Sequence, residues 1–263
     1  MNKTGISLLT FIAFLPYYFI ITGVLPLFNL TFANLSYPFF YALYSLILIA
    51  ILYIIHRKKN PLPYLGLDKN VMKAIIYGTI SILPMLIYSI ICGSWDGSLP
   101  VIKFFDIIII AGFFEELFFR GFLFGQLFRY AGWGFIPASM IVAVIFGCGH
   151  LYQGSSLMAS LTAGLITGLG SIFFSWIYVE CEYNLLCPIV LHIFMNFSWS
   201  AFTISSNGAV GSTVTNIFRI LTVIIAIALV IFHKRKNGIS YQVTAKSLWI
   251  NAKPCSTKNL RAE

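Results

Sequence analysis

The sequence predicts an all-α integral membrane protein of about eight transmembrane helices, N-in/C-in, with one helix broken near Arg120-Gly121. Three observations carry that prediction. Of the 263 residues, 59% are apolar and only 10% are charged, against about 45–50% and roughly 25% in a soluble domain. The mean hydropathy is +0.89. The apolar residues fall in long runs, and a run of ~18 or more reads as a membrane span. There is too little polar side chain to coat a water-soluble globule, which excludes a soluble enzyme, a nucleic-acid module, a secreted disulfide scaffold and a disordered chain.

The first run, about Ser7 to Leu30, is too long for a signal-peptide core and lacks a small-residue cleavage site, so it reads as a retained signal-anchor helix. The second, about Pro38 to Ile55, stops at the basic stretch His56-Arg57-Lys58-Lys59. Pro61-Leu62-Pro63 cannot continue a helix. The third run is Val71 to Cys92. From Val101 to Tyr130 apolar character persists too long for one straight span, and the break is expected at Arg120-Gly121. Further runs cover about Gly134 to Gly149, Ser156 to Val179, Leu185 to Ile204 and Val210 to Phe232, before a basic tail.

The net charge of +9 is topogenic excess rather than a nucleic-acid footprint. With eight crossings from an inside N-terminus, 14 of the 17 basic residues fall inside, and the outer connections near 31–37, 93–100, 150–155 and 205–209 hold none. Glu180 and Glu182 also fall inside. Arg219 sits within a span and is expected to snorkel to the outer surface, with pairing to an acid such as Asp106 as the alternative. The five cysteines show no metal or redox spacing and read as packing. The pairs Gly121/Gly125 and Gly164/Gly168 permit close helix contact. No repeat is visible, which counts against a secondary transporter.

Charged side chains at mid-bilayer cost roughly 2.5–3.5 kcal/mol each, yet the stretch Phe113 to Gly121 carries Glu115, Glu116 and Arg120. Glu116 and Arg120 stand at i,i+4, the favourable order for an ion pair on one helix. Glu115 has Phe119 at i+4, so it must find a partner on another helix or serve as a general base. Phe146 and His150 share a helix face, as do His192 and Asn196. Singly, each histidine reads as a core residue. Together with the carboxylates they form a set able to gather on one internal cavity and activate water.

Glu-Glu-x-x-x-Arg, then Phe-x-x-x-His, then His-x-x-x-Asn, in that order and on separate spans, resembles the CPBP intramembrane proteases. This family is also called the Abi or type II CAAX endopeptidase family and is related to the eukaryotic CAAX prenyl protease 2. The resemblance covers roughly Lys103 to Phe197. It implies that Glu115 and His150 activate the hydrolytic water, that His192 and Asn196 stabilise the oxyanion, and that Glu116, Arg120 and Phe146 support them. Residues 1–100 would then be N-terminal spans without a motif, 101–204 the catalytic core, 205–232 the final span and 233–263 a basic cytoplasmic tail.

His150, His192 and Glu115 could hold Zn2+, but the helical partner of His192 is an amide, a poor zinc ligand, and metal-independent glutamate chemistry is favoured. The expected partner is a membrane-associated peptide or protein substrate together with the lipid bilayer, with no nucleic acid. The expected location is the cell membrane, multi-pass and of bacterial type. Two competing readings stand beside this one: a non-proteolytic membrane partner of the bacteriocin-immunity kind, and, less favoured, a proton-coupled transporter. In a simple drawing of eight full spans Glu115 lies at mid-membrane while His150 lies near the outer end, a separation that water activation does not tolerate.

Overall fold

The computed structural model describes residues 1–21, 37–57, 60–98, 100–204 and 210–251. They are almost wholly helical: α1 (Lys3–Ile21), α2 (Tyr37–His56), the single turn α3 (Leu62–Leu65), α4 (Val71–Cys92), α5 (residues 101–130), α6 (Phe135–Cys148), α7 (Leu157–Glu180), α8 (Leu186–Ser200) and α9 (Thr213–Lys236). Each of the eight apolar runs carries one of the long helices. Of these, α4, α7 and α9 are long and apolar enough to cross a membrane by length and composition. The end of the first run, the connections 31–36 and 205–209, Lys58, Lys59 and the tail beyond residue 251 lie outside the described residues. Two short strands, β1 (Ser94–Trp95) and β2 (Phe202–Thr203), pair antiparallel and tie the start of α5 to the end of α8.

Burial is arranged for lipid rather than water. Large aliphatic side chains stand exposed along the bundle, among them Ile91 on α4, Leu165 on α7 and Ile220 on α9. Glu116, Arg120, Arg129, Glu180 and Lys234 are buried. Apolar side chains facing hydrocarbon carry no penalty, so polar groups move inward to find partners.

The expected break at Arg120-Gly121 is absent, because α5 runs unbroken from residue 101 to 130. What changes there is hydrogen-bond register: Asp106–Ile110, Leu117–Phe124 and Gln126–Tyr130 are π-helical. The chain does not need to fold back, because the second half of α5 never meets lipid. Every residue from Glu116 to Tyr130 is buried, in a core where Phe118 packs on Tyr17 and Tyr44, and Phe119 on Phe14 and Phe146. A helix of ~45 Å is therefore accommodated by protein on one half and lipid on the other.

Small residues set two close contacts. A Cβ at Gly112 would stand 2.9 Å from Ile193 Cγ1, so α5 and α8 approach closely just where Glu116 must reach His192. A Cβ at Gly147 would stand 2.5 Å from the Gly164 carbonyl oxygen, which brings α6 against α7 along the Gly164/Gly168 pair.

Basic residues gather at one end of the bundle, and the predicted cytoplasmic tail is not a free tail. Helix α9 runs to Lys236, a turn past the predicted end at Phe232. Lys234 is buried there, with Nζ 2.6 Å from Glu180 Oε2. Residues 239–251 then strap across that end. Gln242 and Val243 donate backbone N–H groups to the Glu180 carboxylate. Ile136 N–H donates to the Leu248 carbonyl, and Asn251 N–H to the Gly132 carbonyl. The acid that counted against the inside assignment thus has a buried partner.

Candidate active site

A cavity of about 320 Å³ is lined by Glu115 and Arg120 from α5, His150 following α6, and His192 and Asn196 from α8, with Phe146 and Phe174 in its wall. The three motif segments therefore converge on one polar pocket. The apparent mismatch of depth between Glu115 and His150 disappears in the geometry of the α5–α6 hairpin. Glu115 lies 15 residues before the end of α5 at Tyr130, and His150 lies 15 residues after the start of α6 at Phe135. Two antiparallel helices place positions equidistant from their turn at the same height. α5 is simply twice as long as α6, so its midpoint faces the α6 end.

Glu116 is fully buried and central to the polar contacts. Its Oε1 is 3.0 Å from Arg120 Nη1, one turn along α5, and 2.7 Å from His192 Nδ1 on α8. The Arg120 contact is an ion pair without hydrogen-bond geometry, since neither Nε nor either Nη of Arg120 has a hydrogen-bond partner, nor does Glu116 Oε2. The guanidinium is held between two rings instead, 4.8 Å from the Phe146 centroid and 5.3 Å from Phe174. Stacking of this kind suits a planar, weakly hydrated cation.

Glu115 finds its cross-helix neighbour in the same imidazole, with Oε2 3.8 Å from His192 Nε2. That separation is electrostatic contact, too long for a hydrogen bond. Both side chains keep some exposure, 17% for Glu115 and 13% for His192, whereas Glu116 and Arg120 have none. The accessible carboxylate and the sealed one are thus adjacent in sequence and separated by a helical rotation of ~100°.

His150 Nδ1 lies 2.7 Å from the Phe146 carbonyl oxygen. A carbonyl only accepts, so Nδ1 carries the proton and the neutral ring has its lone pair on Nε2. The ring also packs at 4.4 Å on Phe146, the end of an aromatic row running back through Phe119 to Phe14 on α1. The motif-free N-terminal helices buttress the site through that row. Asn196 Nδ2 donates to the Ile107 carbonyl at 3.0 Å, which uses one of its two amide hydrogens and orients the group against the first π-helical turn of α5.

Arg219 differs from its expected place: it faces the cavity, with its guanidinium 4.1 Å from the Trp199 centroid, rather than snorkelling outward. Arg129 is buried and donates to the Tyr178 hydroxyl at 2.8 Å. Sequence reasoning also missed Trp199, Tyr152 and Phe174 as cavity walls. No periodicity distinguishes them from other aromatic residues. The putting-together of Glu115 and His150 did leave a signal, their equal spacing about the turn at residues 131–134.

A zinc ion would need three converging donors with an open position. Among the described residues no group of three or more His, Cys, Asp or Glu side chains is placed to hold a metal ion. His192 Nδ1 is engaged by Glu116 and His150 Nδ1 by a carbonyl, contacts that orient each ring and leave its Nε2 toward the cavity.

The fold is that of a helical membrane protein whose three motif segments meet at one cavity. Residues 97–198, which contain all three motifs, match the family described as type II CAAX prenyl endopeptidase Rce1-like. No curated protein and no solved structure matches the chain.

Proposed function

We propose that the protein is an intramembrane endopeptidase of the glutamate type, hydrolysing a peptide bond of a membrane-associated peptide or protein. In this reading a water molecule sits between Glu115 and His150. Glu115, the accessible carboxylate, takes its proton as the oxygen attacks the scissile carbonyl. His150 orients the water through Nε2, its tautomer held by the Phe146 carbonyl. The developing oxyanion meets the second amide hydrogen of Asn196 and the Nε2–H of His192 in its doubly protonated form. Glu116 holds the other face of that imidazole, and Arg120 balances Glu116. Proton return from Glu115 to the leaving amine completes the cycle, so no group outside the chain is needed to balance it.

The observation that supports this reading most is the convergence of Glu115, His150, His192 and Asn196, from three separate helical segments, on one cavity. The rim residues Tyr152, Gln153 and Ser200 lie at the end of the bundle away from the basic cluster. With that cluster in the cytoplasm, a substrate enters from the outer side. The test is cleavage of a tagged peptide library by purified protein, with and without chelator, beside the Glu115→Ala and His192→Ala variants. Cleavage that survives chelator and disappears with Glu115→Ala is expected. Undiminished cleavage by Glu115→Ala would refute the mechanism, and loss on chelation would turn it to metal chemistry. A cellular phenotype unchanged by Glu115→Ala would point to the non-proteolytic membrane partner instead.

A further inference from the structure

A second cavity, about 600 Å³, lies between α4 and α9 at the basic end of the bundle, and it shares no lining residue with the catalytic one. Both long walls lie outside the segment that matches the protease family, which contributes only Glu180 and Cys181 to the lining. Both helices are long and apolar enough to meet lipid along their length. The mouth is on the lipid side, where Met72, Ile76 and Phe232 are 61%, 53% and 64% exposed.

The lining changes character along its length. Lys73, His233 and Lys236 stand at the basic end, and Ile76, Ile80 and Leu229 continue inward. From Lys73 to Ile80 the rise is roughly 10 Å. A molecule matching this wall has an anionic head and an apolar body. Charge accounting favours the anion. Glu180 also lines the cavity, but its carboxylate is taken by Lys234 and by the Gln242 and Val243 amides. Glu182 is paired with Lys73 at 2.9 Å. Among the described residues Lys236 has no acid or hydrogen-bond acceptor, and its Nζ is 6.0 Å from the Phe232 centroid. The cationic surplus at the mouth is therefore not cancelled from within.

The geometry points to a binding site for an anionic phospholipid of the adjoining leaflet, its phosphate at Lys236 and His233 and an acyl chain along Ile76, Ile80 and Leu229. Basic pockets between membrane helices near the cytoplasmic surface are suited to such headgroups. A bound lipid would bridge α4 and α9, and α4 packs along α8, which carries His192.

The test uses purified full-length protein in neutral detergent, with lipid retention read by native mass spectrometry and the unfolding temperature followed in parallel. The probes are phosphatidylglycerol, phosphatidylcholine and soluble glycerol phosphate. Phosphatidylglycerol is expected to be retained and to raise the unfolding temperature, with phosphatidylcholine weaker and glycerol phosphate inert. Lys236→Gln should weaken phosphatidylglycerol retention about 5-fold, the effect of one cation near a membrane surface. Ile80→Trp, which fills the apolar wall without touching a charge, should weaken retention of the lipid as well. Equal retention of both lipids, or retention unaffected by Lys236→Gln and Ile80→Trp, overturns the site. Competition by glycerol phosphate alone overturns the lipid assignment in favour of a free phosphate site.

Discussion

Two fully buried ion pairs occupy this bundle, and they are finished differently. At Glu180–Lys234 both carboxylate oxygens are engaged, by the ammonium and by two backbone amides, and Lys234 also donates to the Ser240 carbonyl. At Glu116–Arg120 one carboxylate oxygen and all three guanidinium nitrogens lack a hydrogen bond, and the remaining oxygen is shared with His192. The first pair closes the end of the bundle. The second borders a cavity and holds an imidazole that lines it. Equal burial with unequal satisfaction separates a structural ion pair from one set beside chemistry, because a buried donor left open is costly unless something is to be bound there.

The contrast is broken most severely if activity does not depend on the open cluster. His192→Ala should lower peptide turnover per folded molecule about 10²–10³-fold, the usual loss for an oxyanion donor, and lower the unfolding temperature as well, because buried Glu116 loses its hydrogen bond. Retained turnover in a cleavage assay would erase the distinction. Next in size, Lys234→Met should cost about 3–5 kcal/mol of stability by stranding the Glu180 charge, with turnover per folded molecule kept at permissive temperature. Thermal unfolding in detergent measures it, and restoration by Lys234→Met with Glu180→Gln would show that the stranded charge is responsible.

Gly147→Ala should cost about 1–3 kcal/mol as an overpacked contact, because its Cβ meets backbone oxygen of Gly164 and not a flexible side chain. An unchanged unfolding temperature would mean that α6 and α7 can separate. The smallest effect belongs to the exposed Lys73–Glu182 pair. The hydrogen bond from Lys73 holds the Glu182 carboxyl below the usual carboxylate range. A lowered folded-state value stabilises the fold above the unfolded carboxyl's titration and is lost as pH falls through the folded one. Half-exposed, the pair contributes only about 0.2–1 kcal/mol, so Glu182→Gln should flatten the acid side of the stability curve slightly and leave neutral pH almost untouched.

Much of this was legible in advance, for a physical reason. Apolar length is a strong signal when the solvent is hydrocarbon, so each of the eight runs carries a helix, seven of them at nearly the expected bounds, while the end of the first run lies outside the described residues. The three motifs were visible because each charged or imidazole side chain in such a run is an anomaly. What failed was length arithmetic at α5. A 30-residue apolar stretch reads as too long for one span only if lipid surrounds all of it, and residues 117–130 are surrounded by protein. Arg219 and Lys234 were misplaced for a related reason. A cation within an apolar run or just past its end can turn outward or inward, and only neighbours far away in sequence, Trp199 and Glu180, decide which.

The strap formed by residues 239–251 also bears on how the molecule comes into being. It joins the turn after α5 to the base of α7 and α9, so elements inserted early remain without their clasp until the residues beyond α9 have been made. A nascent chain halted after α9 would hold its helices in the bilayer with that mouth of the bundle unlaced.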